Sequence, residues 1–435
     1  MKKLVLLILS LAACGPAGSP PSPALSPLQT LQHSIDSLVD DPKFANANLG
    51  VLIVNPETGD TLYSRNAHKL FMPASNQKIL TSAVALAQLG PDYRYRTVIA
   101  KRGEIRDSVL NGDLIVIGRG DPTMSDRVHG SAAKEMSAIA DSIRARGIRR
   151  VTGALRQGGD AFPDSIYGYG WEWDDIGGES GAPVDELLYN EGMVQRAARI
   201  DGRDTVISVA TRTPGYVYLS ALYGALSQRG VSVTGLVDLN IDSLAAPLDT
   251  VYVIESPPLR DILKHFMKPS QNQIGEALLK TLGLEKTGIG TADAGAAVIS
   301  TQLRDWGIDS TEYVVYDGSG LSRHDLVTPH AIVTILSTMR KDTAFSVYYD
   351  AFPIAGVDGT IRSRMKGTPA ENNLHGKTGT IEFVRSLSGY VDTADGQRLV
   401  FSFLSNHFTT PVSEITRVQD AVGALLASYR STPQQ

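Results

Sequence analysis

Near the start of the chain Leu28, Leu31, Ile35, Leu38 and Val39 recur at helical spacing, which predicts an amphipathic helix. Two strand-like runs follow, 50–54 and 61–64, joined by the turn residues Asn55-Pro56-Glu57-Thr58-Gly59-Asp60. Residues 75–89 are rich in Ile, Leu, Ala and Val, the pattern of a helix buried on most sides. At the far end, 381–391 and 398–404 flank Thr393-Ala394-Asp395-Gly396 and read as a hairpin. Ile415, Val418, Val422, Leu425 and Leu426 then mark a last amphipathic helix.

Strands at both ends of the chain, each accompanied by helices, predict an α+β fold in which one antiparallel sheet carries helices on its faces. On this reading 28–92 and 256–432 form one domain. Residues 93–255 differ in texture, with strand-like runs such as 113–117 and 206–210 between Gly-rich turns and one clear helix near 132–143. They are read as an inserted β-rich region of one or two subdomains. No repeat with a period of 20 to 50 residues is evident.

The amino terminus adds an address. Lys2 and Lys3 precede the apolar run 4–13, which is too short to span a bilayer but suits the core of an export signal. Leu11-Ala12-Ala13-Cys14 ends that run and resembles the lipobox of bacterial lipoproteins, so Cys14 is the expected lipidation site after removal of 1–13. Cys14 is the chain's single cysteine and can form no internal disulfide. Residues 15–27, dense in Pro, Ser, Gly and Ala, read as a tether. The expected location is therefore outside the cytoplasm, lipid-anchored to a membrane and facing the periplasm or cell-wall space. A net charge of -5 with no Lys/Arg cluster argues against a nucleic-acid partner.

Three motifs carry the candidate chemistry: Ser75-Asn76-Gln77-Lys78, Ser270-Gln271-Asn272 and Lys377-Thr378-Gly379. In this order they form the S-x-x-K, S-x-N and K-T-G signature of serine enzymes that acylate on D-alanyl-D-alanine peptides and β-lactams. Each motif alone is weak, because Ser131-Ala132-Ala133-Lys134, Ser363-Arg364-Met365-Lys366, Ser64-Arg65-Asn66 and Lys286-Thr287-Gly288 repeat the patterns. Context separates them. Ser75 opens the apolar helix and Lys78 lies on the same face one turn later, where burial would lower the amine's pKa and let it act as a base. Lys134 belongs to a polar helix face, Ser363 to a basic stretch, Ser64 to a strand before the nucleophile, and Lys286-Thr287-Gly288 to an expected turn in a Gly-rich loop. Lys377-Thr378-Gly379 runs into the C-terminal hairpin, where a strand would present a cation, a hydroxyl and backbone NH groups to a carboxylate. Gly379 would permit close backbone approach.

The chain resembles the class C low-molecular-mass penicillin-binding proteins, the D-alanyl-D-alanine carboxypeptidase/endopeptidases of serine peptidase family S13. Beyond the three motifs the resemblance rests on Gly118-Arg119-Gly120-Asp121-Pro122-Thr123, Gly170-Trp171-Glu172-Trp173-Asp174-Asp175 and Gly181-Ala182-Pro183 in the insert. It extends to Lys268-Pro269 and Glu276 around the second motif, and to the loops Asp317-Gly318-Ser319-Gly320-Leu321-Ser322-Arg323 and Ala355-Gly356-Val357-Asp358-Gly359-Thr360. It implies a transpeptidase/β-lactamase-like domain with a large insert, acting on peptidoglycan stem peptides that end in D-Ala-D-Ala or D-Ala cross-links, with β-lactams as inhibitors and no cofactor or metal.

By the same resemblance Ser75 is the nucleophile, Lys78 takes its proton and Ser270 relays it to the leaving amine. Asn272 holds the peptide amide, Lys377 and Thr378 bind the terminal carboxylate, and the NH groups of Ser75 and Thr380 form the oxyanion hole. Two departures stand out. The middle motif has Gln271 where the family has Asp, and an acidic pair usual in the stretch 153–162 is replaced by Gly158 and Gly159, with Asp160 displaced. Two alternatives remain at this stage, a class A-like β-lactamase and a catalytically silent, lipid-tethered peptidoglycan-binding scaffold. The β-lactamase reading needs a deacylating E-x-x-x-N after the second motif, whereas Glu186-Leu187-Leu188-Tyr189-Asn190 precedes it. G-x-S-x-G and H-E-x-x-H are both missing from the sequence. His375 is read either as a substrate contact or as a plain surface histidine.

Overall fold

The computed structural model describes residues 25–242 and 248–432. Cys14, the signal-like run and most of the tether lie outside the described residues. A five-stranded antiparallel sheet is built from both ends of the chain, in the order His375–Ile381, Val384–Asp392, Arg398–Asn406, Asn48–Val54, Thr61–Arg65.

Alternation along these strands sends side chains into two cores. Val51, Ile53, Leu387, Phe401 and Phe403 pack against the terminal helices Pro27–Val39 and Val412–Ser428. Leu52, Tyr390, Val400 and Leu404 face a helical layer containing Gln77–Leu89, Leu259–Met267, Asn272–Thr287 and Pro329–Met339. Burial on both faces is why these strands read as nearly continuous apolar runs rather than as strict alternation. Ser26 starts the first helix with a capping box, its hydroxyl accepting from Gln29 N while the Gln29 side chain accepts from Ser26 N.

The C-terminal run divides differently from the expected hairpin. The strand bearing the third motif, His375–Ile381, ends before Glu382 and Phe383, and Phe383 at φ 57° turns the chain into Val384–Asp392. The third motif thus occupies an edge strand of its own.

Within the insert, Arg96–Arg106, Val109–Ile117, Leu155–Gly158, Val237–Asp242 and Asp249–Glu255 form a mixed sheet. Its parallel pairs, such as Val109–Ile117 with Leu155–Gly158, need crossover connections. One helix, Ala132–Ala145, matches the expectation; a second, Pro214–Gln228, was not anticipated. Its sequence mixes three tyrosines, two glycines and a single valine with Leu and Ala and shows no sharp apolar stripe, so helical periodicity is hidden. Packing against the sheet through Tyr218, Leu219, Leu222 and Leu226 overrides local preference.

Candidate active site

The segment before Ser75 is fastened to the sheet by side chains. Asn406 accepts from Met72 N at 2.8 Å and donates to Met72 O at 3.1 Å, and Ser386 Oγ donates to Pro73 O at 2.8 Å. Ser75 itself sits in a tight turn, Ala74–Asn76, and the helix proper begins at Gln77, two residues later than the sequence suggested. Ala74 has φ 46°, a left-handed conformation that an alanine holds only when its surroundings impose it. Two neighbours do so. Asn76 Nδ2 donates to Lys377 O at 2.8 Å, and Gly320 lies against the turn.

Gly320 has φ +81°, and a Cβ there would stand 1.9 Å from Ala74 O. Gly320→Ala is therefore expected to lower stability by roughly 2–4 kcal/mol through combined strain and overpacking. Urea unfolding of parent and variant checks this; an unchanged midpoint would show that the turn tolerates the methyl group.

The three motifs converge. Lys78 is fully buried, and its Nζ lies 2.9 Å from Ser75 Oγ, 2.7 Å from Asn272 Oδ1 and 2.7 Å from Ser319 O. Asn272 Nδ2 donates to Ser180 O at 2.9 Å, which fixes the amide so that its oxygen faces Lys78. Lys377 is also fully buried; its Nζ donates to Ser270 Oγ and to Thr378 O, both at 2.8 Å. Thr378 Oγ1 shares a 2.7 Å hydrogen bond with Thr360 Oγ1. Ser270 is held at φ 66°, aiming its hydroxyl at Lys377 from the residue pair ahead of the helix Asn272–Thr287.

Gly379 brings the edge strand onto the nucleophile. A Cβ at this position would fall 2.2 Å from Ser386 Oγ and 2.8 Å from Ser75 N. Thr380 follows directly and is exposed at the mouth of a cleft of about 340 Å³ lined by Ser75, Ser270, Asn272, Thr378, Thr380 and Arg385, among others.

Electrostatics match this geometry. Burial drives the Lys78 amine down to about 7, an effect partly offset by the neighbouring carboxyl groups of Asp317, Glu276 and Asp325. Burial, reinforced by the Asp317 charge, pushes the Glu276 carboxyl up to about 8. Burial and the neighbouring Lys78 hold Lys377 well below the ordinary lysine range. Among the described residues no carboxylate pairs with Lys377, and an incoming carboxylate would supply that counter-charge.

Ser319 contributes through a carbonyl that no motif describes. Its loop is held by Asp317, whose buried carboxylate accepts from the backbone N of Ser319, Gly320 and Ser322 and from Trp171 Nε1 at 2.9 Å. Asn76, Ser180, Thr360 and Asn406 are the other supporting residues that sequence reasoning missed. Asn76 lies inside the first motif, and Thr360, like Ser319, lies within a loop that carried the family resemblance; Ser180 and Asn406 had no signal.

The competing motif copies stay apart from the site. Ser131 caps its helix, accepting from Lys134 N, and Lys134 is exposed. Ser363 and Lys366 are exposed, as is Ser64 on its strand. Lys286 and Thr287 form the last turn of the helix Asn272–Thr287 rather than a loop, and Gly288 at φ +79° ends it. His375 is neither a cleft residue nor a surface one; it is buried and stacks on Tyr349 with ring centroids 3.8 Å apart. Glu186 is buried against Gln157 in the insert, and neither Glu186 nor Asn190 lines the cleft.

A family model for the D-Ala-D-Ala carboxypeptidase 3 (S13) family matches residues 31–218 and 199–429. The chain belongs to that family. It is a serine-type peptidase of the penicillin-binding, peptidoglycan-cleaving class. A D-alanyl-D-alanine carboxypeptidase of Actinomadura sp. (strain R39) is 32% identical, over 98% of this chain and 89% of the relative. Penicillin-binding protein 4 from Haemophilus influenzae superposes with a TM-score of 0.81 at 22% identity, covering 91% of this chain and 99% of that one. A penicillin G-acylated predatory endopeptidase from Bdellovibrio bacteriovorus gives 0.54 at 17% identity, covering 90% and 96%. These two share the fold.

Proposed function

We propose that Ser75 is the acylating nucleophile and Lys78 its general base. The bonding of the Lys78 amine supports this most directly. A neutral amine has two hydrogens, and Asn272 Oδ1 and Ser319 O are acceptors that can take both. The remaining lone pair then faces Ser75 Oγ, which turns from acceptor to donor and is positioned to lose its proton.

In the first half-reaction Ser75 Oγ attacks the carbonyl of the penultimate D-alanine as its proton passes to Lys78. The developing oxyanion is met by the NH groups of Ser75 and Thr380, and each such donor is typically worth about 3–4 kcal/mol in the transition state. The C–N bond breaks as the proton taken by Lys78 is relayed through Ser270 to the leaving amine, which leaves Lys78 neutral and Ser270 a hydroxyl again. Lys377 and Thr378 hold the terminal carboxylate and Asn272 the peptide amide. Water then attacks the ester, giving a free carboxyl group and regenerating Ser75. A free D-alanine as leaving group makes this a carboxypeptidase step, and a cross-linked stem peptide makes it an endopeptidase step.

Both activities are named among the similar proteins, the Actinomadura carboxypeptidase and the Bdellovibrio endopeptidase. Gly158, Gly159 and Asp160 lie outside the lining of the cleft, so recognition of the stem-peptide side-chain amine is not assigned to them. Export and lipid anchoring through Cys14 complete the proposal and place the site at the peptidoglycan. They rest on the amino-terminal sequence alone.

Intact-mass spectrometry after incubation with benzylpenicillin tests the assignment. A gain of one intact drug, mapped by peptide digestion to the segment containing Ser75, is expected, together with release of D-alanine from a D-Ala-D-Ala peptide. Rapid, repeated hydrolysis of the drug would point to a β-lactamase instead. Neither adduct nor hydrolysis would leave the silent scaffold.

A further inference from the structure

Away from the catalytic cleft, beside the edge strand Thr61–Arg65, two histidines converge on one carboxylate. His68 Nδ1 lies 2.7 Å from Glu312 Oε1, and His330 Nδ1 lies 2.7 Å from Glu312 Oε2. The two imidazole rings are 4.4 Å apart, and one donor atom from each of the three residues lies within 4.8 Å of the others.

The three side chains come from separate segments that backbone hydrogen bonds lock together. Phe71 and Val327 exchange a pair at 3.0 and 2.9 Å, His330 N donates to Ala67 O at 2.9 Å, and Thr328 N donates to Glu312 O at 3.0 Å. His330 is placed by the first turn of the helix Pro329–Met339, which Thr328 caps. The donor set is therefore preorganised by the fold rather than gathered by chance among mobile surface residues.

We infer that His68, Glu312 and His330 form a divalent transition-metal site suited to Zn²⁺. Two imidazoles and a carboxylate are a set that borderline cations such as zinc accept, leaving a position for water. Zinc bonds of about 2.0–2.2 Å at tetrahedral angles place neighbouring ligand atoms about 3.4 Å apart, so each N···O contact would open by about 0.7 Å as the metal displaces the bridging hydrogens. His68 has room to move, with 68% of its side chain exposed, whereas Glu312 at 13% is the fixed member. A neighbouring cavity of about 470 Å³, lined in part by His68, His330, Ser64 and Ser337, gives solvent access on the open side.

The site clips the segment that leads to Ser75 onto the segment that carries Ser319. It lies at the edge of the five-stranded sheet opposite the third-motif strand, so its role is structural, and acylation does not pass through it. Its occupancy is independent of the serine-peptidase assignment.

Equilibrium dialysis of the protein, carrying no affinity histidine tag, against micromolar zinc chloride, with metal counted by mass spectrometry, tests the inference. One zinc ion per chain is expected for the parent and for a His33→Ala control, whose histidine is exposed on the first helix. His68→Ala and His330→Ala are expected to lower binding by more than about tenfold. Zinc should also raise the thermal midpoint of the parent but not of those variants. Both replaced histidines are at least partly exposed, and unchanged penicillin acylation confirms that the variants are folded. Substoichiometric zinc on the parent, or equal zinc on parent and variants, would overturn the site.

Discussion

Ser75→Ala is expected to abolish covalent capture of benzylpenicillin and to cut peptidase turnover by about 10⁶-fold, the scale seen when a hydrolase loses its nucleophile. The side chain is small and partly exposed, and the strained turn around it is held by other groups: Asn76 to Lys377 O, Ser386 to Pro73 O and Gly320 beneath Ala74. The variant should therefore keep the parent's melting midpoint. Of the two motif serines in the cleft, only Ser75 contacts the Lys78 amine, while Ser270 Oγ is engaged by Lys377. Intact mass of parent and variant after drug exposure decides the matter. A persistent one-drug adduct on the variant would move the nucleophile to another residue, Ser270 first.

The sequence carried the chemistry better than its support. Motif order and local context separated Ser75, Ser270 and Lys377 from their decoys, because a buried apolar helix and a strand-forming tail differ from polar surface stretches in composition. The two-ended sheet was likewise visible, since its strands are short apolar runs bounded by turn residues. The break at Glu382–Phe383 was hidden because nothing in that dipeptide is a strong turn former, and pairing with the next strand imposes it. The helix Pro214–Gln228 was hidden because its tertiary packing outweighs a mixed local preference.

Backbone atoms were the least legible part of the site. Ser319 O and Ser180 O orient Lys78 and Asn272, yet a carbonyl leaves no mark on residue type. What can be read in such a loop is the residue that shapes it. Asp317 accepts several backbone amides and Gly320 takes a left-handed φ, so the Asp-Gly-Ser-Gly pattern is the trace of a carbonyl aimed at a lysine.

Lys78→Ala is expected to slow acylation by about 10²–10⁴-fold, the usual contribution of a positioned general base. The parent should show the matching pH dependence. Because burial lowers the amine to about 7, the neutral, proton-accepting form dominates above that pH and the ammonium below it. The second-order acylation rate should therefore be level above about pH 7 and fall by about tenfold per unit below it. Removing the lysine also leaves Asn272 Oδ1 and Ser319 O without their shared buried donor, so Ala alone confounds chemistry with packing. Lys78→Arg separates the two. A guanidinium keeps positive charge and donors in the pocket but stays protonated at every accessible pH, so it should acylate as slowly as the alanine variant even where it folds as stably as the parent. A parent profile flat from pH 5 to 8, or near-normal acylation by a folded arginine variant, would remove Lys78 from the role of base and leave it to orient Ser75 alone.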